Sequence, residues 1–147
     1  MRKYFDFLSN DIVRAGIALR GGGDRATLGS CGIFSGGLMA LTAKLGPRSQ
    51  NPSKKEMEVF DKDYSKINEF RDWFIKEFGG VTCKDVQLHL FGRFFNLMND
   101  EERQEFIKCQ QLLGIQCNQA TTKAALKVAE ILCLEENTAD GESRQLR

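Results

Sequence analysis

The five cysteines of this 147-residue chain never fall into a C-x-x-C pair, and histidine and tryptophan each occur only once. No C-x-x-C-H is present, which excludes covalent attachment of a c-type haem, and the spacings of ferredoxins and zinc ribbons are missing too. With His89 as the sole histidine, no Ser-His-Asp set can be argued, and His89 itself reads as a surface or satisfied structural residue. Charge of one sign is lacking as well. Against 20 acidic side chains stand 21 basic ones, and the net +1 shows no bias toward nucleic acid or a membrane. The longest apolar run, Ile33 to Leu45, is broken by Ser35, Gly36, Gly37, Thr42 and Lys44, far short of the ~20 residues that span a bilayer. Met1-Arg2-Lys3 leads to Asp6, Asn10 and Asp11 rather than to an apolar stretch, so no signal peptide is read and a cytoplasmic location is expected. In a reducing compartment an odd set of cysteines does not make a disulfide framework. Whatever these thiols do, the fold must bring them together.

Alternation of apolar and polar residues is also missing, whereas helical periodicity is present throughout. Apolar residues at 41% and charged residues at 28% suit one soluble globular domain. Phe5, Leu8, Ile12, Ala15 and Leu19 recur at intervals of three and four, with Val13 and Ile17 widening the stripe, and predict a helix over 4–20 closed by Gly21. Ser30 is placed to cap a second helix from Cys31 to about Leu45, which Gly46-Pro47 stops. After a turn-rich loop, Pro47 to Ser53, the composition becomes strongly helical from Lys54. Ile67, Phe70, Trp73, Phe74 and Phe78 form an aromatic stripe, read as core, and Gly79-Gly80 closes it. Thr82 and Asp85 mark a fresh helix start with Cys83 in the first position. Asn99 begins another, with Phe106, Cys109, Leu112 and Leu113 on its buried side and Gly114 at its end. Cys117 is expected in the next turn, and Asn118 or Thr121 as the cap of a last helix. The inner face of that helix is Ala124, Ala125, Val128, Ile131 and Leu132, and Cys133 is read as core. The expectation is an all-α, compact bundle of about five to six helices, with one domain over 1–135 and a disordered tail over 136–147.

The chemistry concentrates in Gly21-Gly22-Gly23 and the cysteine that follows at 31. Glycine supplies the positive φ angles of a tight loop and lets other backbone come close. A thiol in the first turn of a helix lies near unpaired N–H groups and the positive end of the dipole, which favours the thiolate. Cys31 and Cys83 share that placement. Gly32, Gly36 and Ala40 recur every four residues and leave a flat face that another helix can approach. A glycine-rich loop ahead of a helix can also bind phosphate. Here it lacks the G-K-S or G-K-T of a P-loop, and a structural turn is the better reading.

The segment Cys31-Gly32-Ile33-Phe34-Ser35-Gly36, preceded by Gly21-Gly22-Gly23, resembles the CGAxxG signature of the small redox-active proteins of the C_GCAxxG_C_C family. Phe78-Gly79-Gly80-Val81-Thr82-Cys83-Lys84-Asp85 is similar to that family's F-G-x-x-x-C segment, and Cys109 or Cys117 corresponds to its last cysteine. The similarity runs over roughly residues 12 to 132. Two departures stand out: Ile33 replaces the family's alanine, and no cysteine precedes Cys31. The resemblance implies a redox role, with Cys109 or Cys117 available in place of the upstream cysteine.

Two functional readings follow. In the first, Cys31 and Cys83 are catalytic, as the reactive thiolate and its partner. Together with Cys109 and Cys117 they form a thiolate cluster that exchanges disulfides with a protein redox partner, or holds an iron–sulfur cluster or zinc. Gly21, Gly22, Gly23, Gly32 and Gly36 would line the cofactor side of the site. In the second, the cysteines are core residues, and the flat glycine face with the abundant phenylalanine forms a subunit interface, as in a homodimer.

Overall fold

Six α-helices and one 3₁₀ turn follow one another in the computed structural model, which describes residues 7–114 and 117–143 apart from the side chains of 118 and 134–143. They are α1 (Asn10–Ala15), a 3₁₀ turn (Ile17–Leu19), α2 (Gly32–Leu45), α3 (Lys54–Phe78), α4 (Cys83–Phe91), α5 (Asp100–Leu113) and α6 (Cys117–Ser143). Among the described residues there is no strand, only an isolated antiparallel bridge between Ser30 and Thr82. The protein is all-α, as its periodicity implies. No helix among the described residues is long and apolar enough to cross a membrane.

Local chemistry sets most of the boundaries. At the start of α3 the Ser53 N–H donates to Glu56 Oε2 at 2.8 Å, and the Glu56 N–H donates back to Ser53 Oγ at 3.2 Å. Thr82 and Asp85 repeat that reciprocal cap at α4, and Asn99 Oδ1 accepts from the Glu102 N–H at 3.0 Å to open α5. Gly79, Gly92 and Gly114 end α3, α4 and α5 with φ of 79°, 71° and 62°, a region open to glycine and strained for other residues.

The core lies where α2, α3 and α6 pack on one another, with α4 against α3. Phe70, Phe74 and Phe78 of α3 are buried, and Phe34 of α2 stacks on Phe70 with ring centroids 5.9 Å apart. From α6 come Ala120, Ala124, Val128, Ile131 and Leu132, all buried. Each fully buried phenylalanine contributes roughly 1.5–3 kcal/mol of transfer free energy. Gly37 lets α3 approach: a Cβ there would overlap the Phe70 ring. Here the sequence-derived stripe and the packing agree.

Several expectations change. The helix expected over 4–20 is only α1, because the chain departs from it at Gly16 and tightens into the 3₁₀ turn, where the Leu19 N–H donates to the Gly16 carbonyl at 3.1 Å. Val13 and Ile17, 46% and 59% exposed, are not core, and Phe5 lies outside the described residues. Ser30 does not cap α2. Its backbone is held extended by the bridge to Thr82, so Cys31 is the cap residue and the helix begins at Gly32. Leu112 and Leu113 are 86% and 53% exposed, since α5 turns its inner face through Phe106 and Cys109 instead. Cys117 does not sit in a turn capped later by Asn118 or Thr121; it is the first residue of α6. Cys133 is exposed rather than core, because Ile131 and Leu132 already occupy the inward side of that helical turn. The tail expected over 136–147 falls on α6 backbone as far as Ser143, and residues 144–147 lie outside the described residues.

Candidate functional site

Three helices begin with a cysteine, and all three beginnings face one cavity of about 490 Å³. Cys31 is the cap residue of α2, Cys83 the first residue of α4 and Cys117 the first residue of α6. What holds two of them together is the short bridge between the loop and α4. The Cys31 N–H donates to the Val81 carbonyl at 2.8 Å, and the Cys83 N–H to the Gly29 carbonyl at 3.0 Å, on either side of the Ser30–Thr82 pair. Cys31 and Cys83 thus each follow directly on the bridged pair, and each is tied by its backbone N–H to the opposite segment.

The glycine loop is the other half of the scaffold. Gly21, Gly22 and Gly23 have φ of 66°, 81° and 81°, and Asp24, Arg25 and Thr27 follow with φ of 42°, 68° and 67°. Such a run of left-handed backbone is costly for the three non-glycine residues, on the order of 1–3 kcal/mol each, and persists because the surroundings hold it. The N–H groups of Gly23, Asp24, Arg25 and Thr27 donate to the carbonyls of Leu19, Ala18, Arg20 and Gly21. The loop thus uses its own donors to close on itself, which favours the structural turn over a phosphate cradle. Thr27, only 2% exposed, ties the loop to the far wall: its hydroxyl accepts from the Leu97 N–H at 3.1 Å and donates to the Phe95 carbonyl at 3.3 Å. Gly22 presses on the site itself, since a Cβ there would stand 3.1 Å from Cys83 Cβ and 3.0 Å from the Thr27 carbonyl carbon.

Of the glycines read as cofactor-facing, Gly21, Gly32 and Gly36 line the cavity, Gly22 backs Cys83, and Gly23 has no atom within 4 Å of where its Cβ would be. The flat face of α2 divides. At Gly32 it is occupied by this chain's own backbone, with Leu19 O and Arg20 Cα 2.9 and 3.0 Å from an added Cβ; at Gly36 it opens on empty space. A subunit interface along that face loses its surface at Gly32. Gly36 is a helix-interior glycine that no packing demands, and it costs α2 about 1 kcal/mol relative to alanine.

Burial governs the thiols. Cys31 and Cys83 are 5% and 9% exposed. The Cys31 pKa is raised by burial, against the nearby N–H groups of Ile33 and Phe34, which pull it down, while charge on Cys83 adds to the rise. The thiolate expected at a helix start is therefore not favoured in this conformation: desolvation outweighs the N-terminal N–H groups, and the Cys31 side chain makes no capping hydrogen bond. Cys83 is likewise pushed up by burial, with a hydrogen bond from Gln87 acting in the opposite sense. Cys117 is pushed up to about 12 by burial and by its proximity to Cys31 and Cys83. The three thiols are near enough to feel one another's charge, and all three stay protonated at neutral pH.

Gln87 escapes sequence reasoning, though a polar residue on the inward stripe one turn after Cys83 is a signal in hindsight. It is buried, its Nε2 donates to Cys83 Sγ at 3.3 Å, and its Oε1 accepts from the Phe95 N–H at 2.8 Å. Arg20, Arg25 and Arg103 also line the cavity, and nothing in their spacing announces it. Leu97, Phe106 and Ile107 give it an apolar wall.

Cys109 does not join the others at the cavity. It packs beside Phe91 and Phe106 on the small cluster of Cys83, Phe95 and Leu97. His89 is exposed and outside the cavity. Among the described residues no group of three or more His, Cys, Asp or Glu side chains is spaced to hold a metal ion. The four-thiolate set that zinc or an iron–sulfur cluster needs is thus not assembled in this arrangement.

None of the curated proteins matches this chain, and none of the solved structures does. A family model does: that described as "Putative redox-active protein (C_GCAxxG_C_C)" matches residues 1–131, and the chain belongs to this family.

Proposed function

We propose that this protein is a dithiol–disulfide redox protein in which Cys31 is the attacking thiol and Cys83 its partner, with Cys117 a third thiol at the same cavity. The observation that carries this reading is the convergence of three cysteine-bearing helix starts on one cavity. Cys31 is the nucleophile because two backbone N–H groups stabilise its thiolate as soon as the proton leaves. Oxidation joins the two sulfurs and passes two electrons and two protons to the acceptor.

The geometry sets a condition. A relaxed disulfide needs Cα atoms about 4.4–6.8 Å apart. Oxidation must bring the starts of α2 and α4 within that reach, with the bridge tying the two segments side by side and Gly22 packed against Cys83.

The test is disulfide mapping. Reduced protein, purified without oxygen, is titrated with diamide, alkylated, digested and examined by mass spectrometry. The expected product is a Cys31–Cys83 cross-link that dithiothreitol reverses and that Cys31→Ser abolishes. If every cysteine remains open to alkylation after unfolding, no disulfide has formed and the proposal is wrong. Stoichiometric iron and acid-labile sulfide in the same preparation would replace it with a cluster protein.

A further inference from the structure

We propose that the cavity receives a small disulfide bearing carboxylate groups, which oxidises the Cys31–Cys83 pair; this rests on the dithiol reading above. Three observations lead there. Cys31 and Cys83, 5% and 9% exposed, line a partly open cavity rather than the outer surface, so a disulfide on the face of another folded protein does not reach them without inserting a segment. A cavity of about 490 Å³ is instead of the size that takes a small molecule.

Two arginines at this cavity have no ion-pair partner among the described residues. Arg103 is paired with Asp100, but Arg20 and Arg25, on either side of Gly21–Gly23, form no ion pair among the described residues. Nor do they serve the thiols, whose pKa values are set by burial, by backbone N–H groups, by Gln87 and by one another. Two unengaged guanidinium groups beside an apolar wall fit a ligand with an apolar body and anionic ends.

Gly36 supplies the third observation. Glycine is the poorest residue after proline for a helix interior, and a Cβ here would meet no atom within 4 Å. What its missing side chain preserves is room, because Gly36 lines the cavity.

The exchange balances. The Cys31 sulfur attacks one sulfur of R–S–S–R, the S–S bond breaks, and the first RS⁻ leaves with the proton given up by Cys31. The Cys83 sulfur then attacks the Cys31 sulfur of the mixed disulfide, releasing the second RS⁻ with the proton of Cys83. Two electrons from the protein dithiol have reduced one disulfide to two thiols.

The experiment uses three small disulfides of similar size and different charge: dithiodipropionate (anionic), bis(2-hydroxyethyl) disulfide (neutral) and cystamine (cationic). Reduced full-length protein is mixed with each, quenched in acid, and the Cys31–Cys83 cross-link is followed with time. Dithiodipropionate should react fastest, by about tenfold over the neutral reagent, with added salt closing the gap. The double variant Arg20→Gln, Arg25→Gln should bring the ratio of the anionic to the neutral rate close to one. Gly36→Ala should raise the melting temperature and slow the anionic reagent, an opposition that a merely structural glycine would not produce. Equal rates for all three reagents, or cystamine fastest, would overturn the carboxylate assignment while leaving the dithiol reading intact. Cross-linking by diamide but by none of the three disulfides would overturn it as well. No cross-link with any oxidant, diamide included, would remove both.

Discussion

The aromatic core and the thiol cavity are built by opposite means. Phe34, Phe70, Phe74 and Phe78 meet because each helix repeats its apolar residues at the helical period, and the rings lie 4.7–5.9 Å apart from centroid to centroid along the stack. Cys31, Cys83 and Cys117 meet because three helices happen to begin there, and no period relates them. The core is held by many interchangeable apolar contacts. The cavity is held by a few specific ones: two bridge hydrogen bonds, the Thr27 hydroxyl and the Gln87 amide. The two regions are held by different means, and they meet at Cys31, which lies in the same buried cluster as the four phenylalanines.

That difference can be tested experimentally, and the largest effect belongs to the core. Phe74 is fully buried and packs against Phe34, Phe70, Trp73 and Phe78. Phe74→Ala should cost about 3–5 kcal/mol in urea denaturation. Below the transition it should leave the Cys31–Cys83 cross-link unchanged. Loss of the cross-link in the folded variant would mean that core and cavity are one unit.

A smaller effect should come from the seam between the two regions. Gly22→Ala places a Cβ at φ 81°, 3.1 Å from Cys83 Cβ. The expected cost is about 1–3 kcal/mol by the same denaturation assay, with the rate of Cys83 alkylation altered as its side chain is displaced. An unchanged rate would show that the loop does not position this thiol.

The smallest effect is a slope with pH. In the unfolded chain Cys117 ionises near its ordinary value of 9.0, whereas in the fold it is pushed up to about 12. The folded state then binds the proton more tightly. Its contribution to stability is fully present below about pH 9 and is lost as pH rises toward about 12, by roughly 1.4 kcal/mol per pH unit for one group. Burial shifts Cys31 and Cys83 in the same direction. Cys117→Ala should therefore lose less stability than the native chain between about pH 9 and about pH 10, measured as urea midpoints. Equal slopes would mean that Cys117 is not buried among the other thiols.

The helices were largely legible. Asn99, Thr82, Gly79 and Gly114 act at α-helix ends as their local chemistry requires, because a cap needs only residues a few positions away. The stripe from Ile67 to Phe78 is buried for the same local reason of spacing, apart from the half-buried Trp73. The structure departs from the local pattern where tertiary contact overrides local preference. Ser30 is a good capping residue, but its pairing with Thr82 moves the cap to Cys31. Leu112 and Leu113 follow the apolar pattern of α5 yet stay exposed among the described residues.

By itself, then, the sequence determined an all-α chain, the starts and stops of most of its helices, and two cysteines at helix beginnings. Those properties depend on interactions within a turn or two of the backbone. Only the tertiary structure decided that Cys117 rather than Cys109 faces Cys31 and Cys83, that burial outweighs the helix N-terminus at Cys31, and that Arg20, Arg25 and Gln87 belong to the same place. Each of these depends on which distant segments are brought together and how much water they exclude, and neither quantity is written in the spacing of residues along the chain.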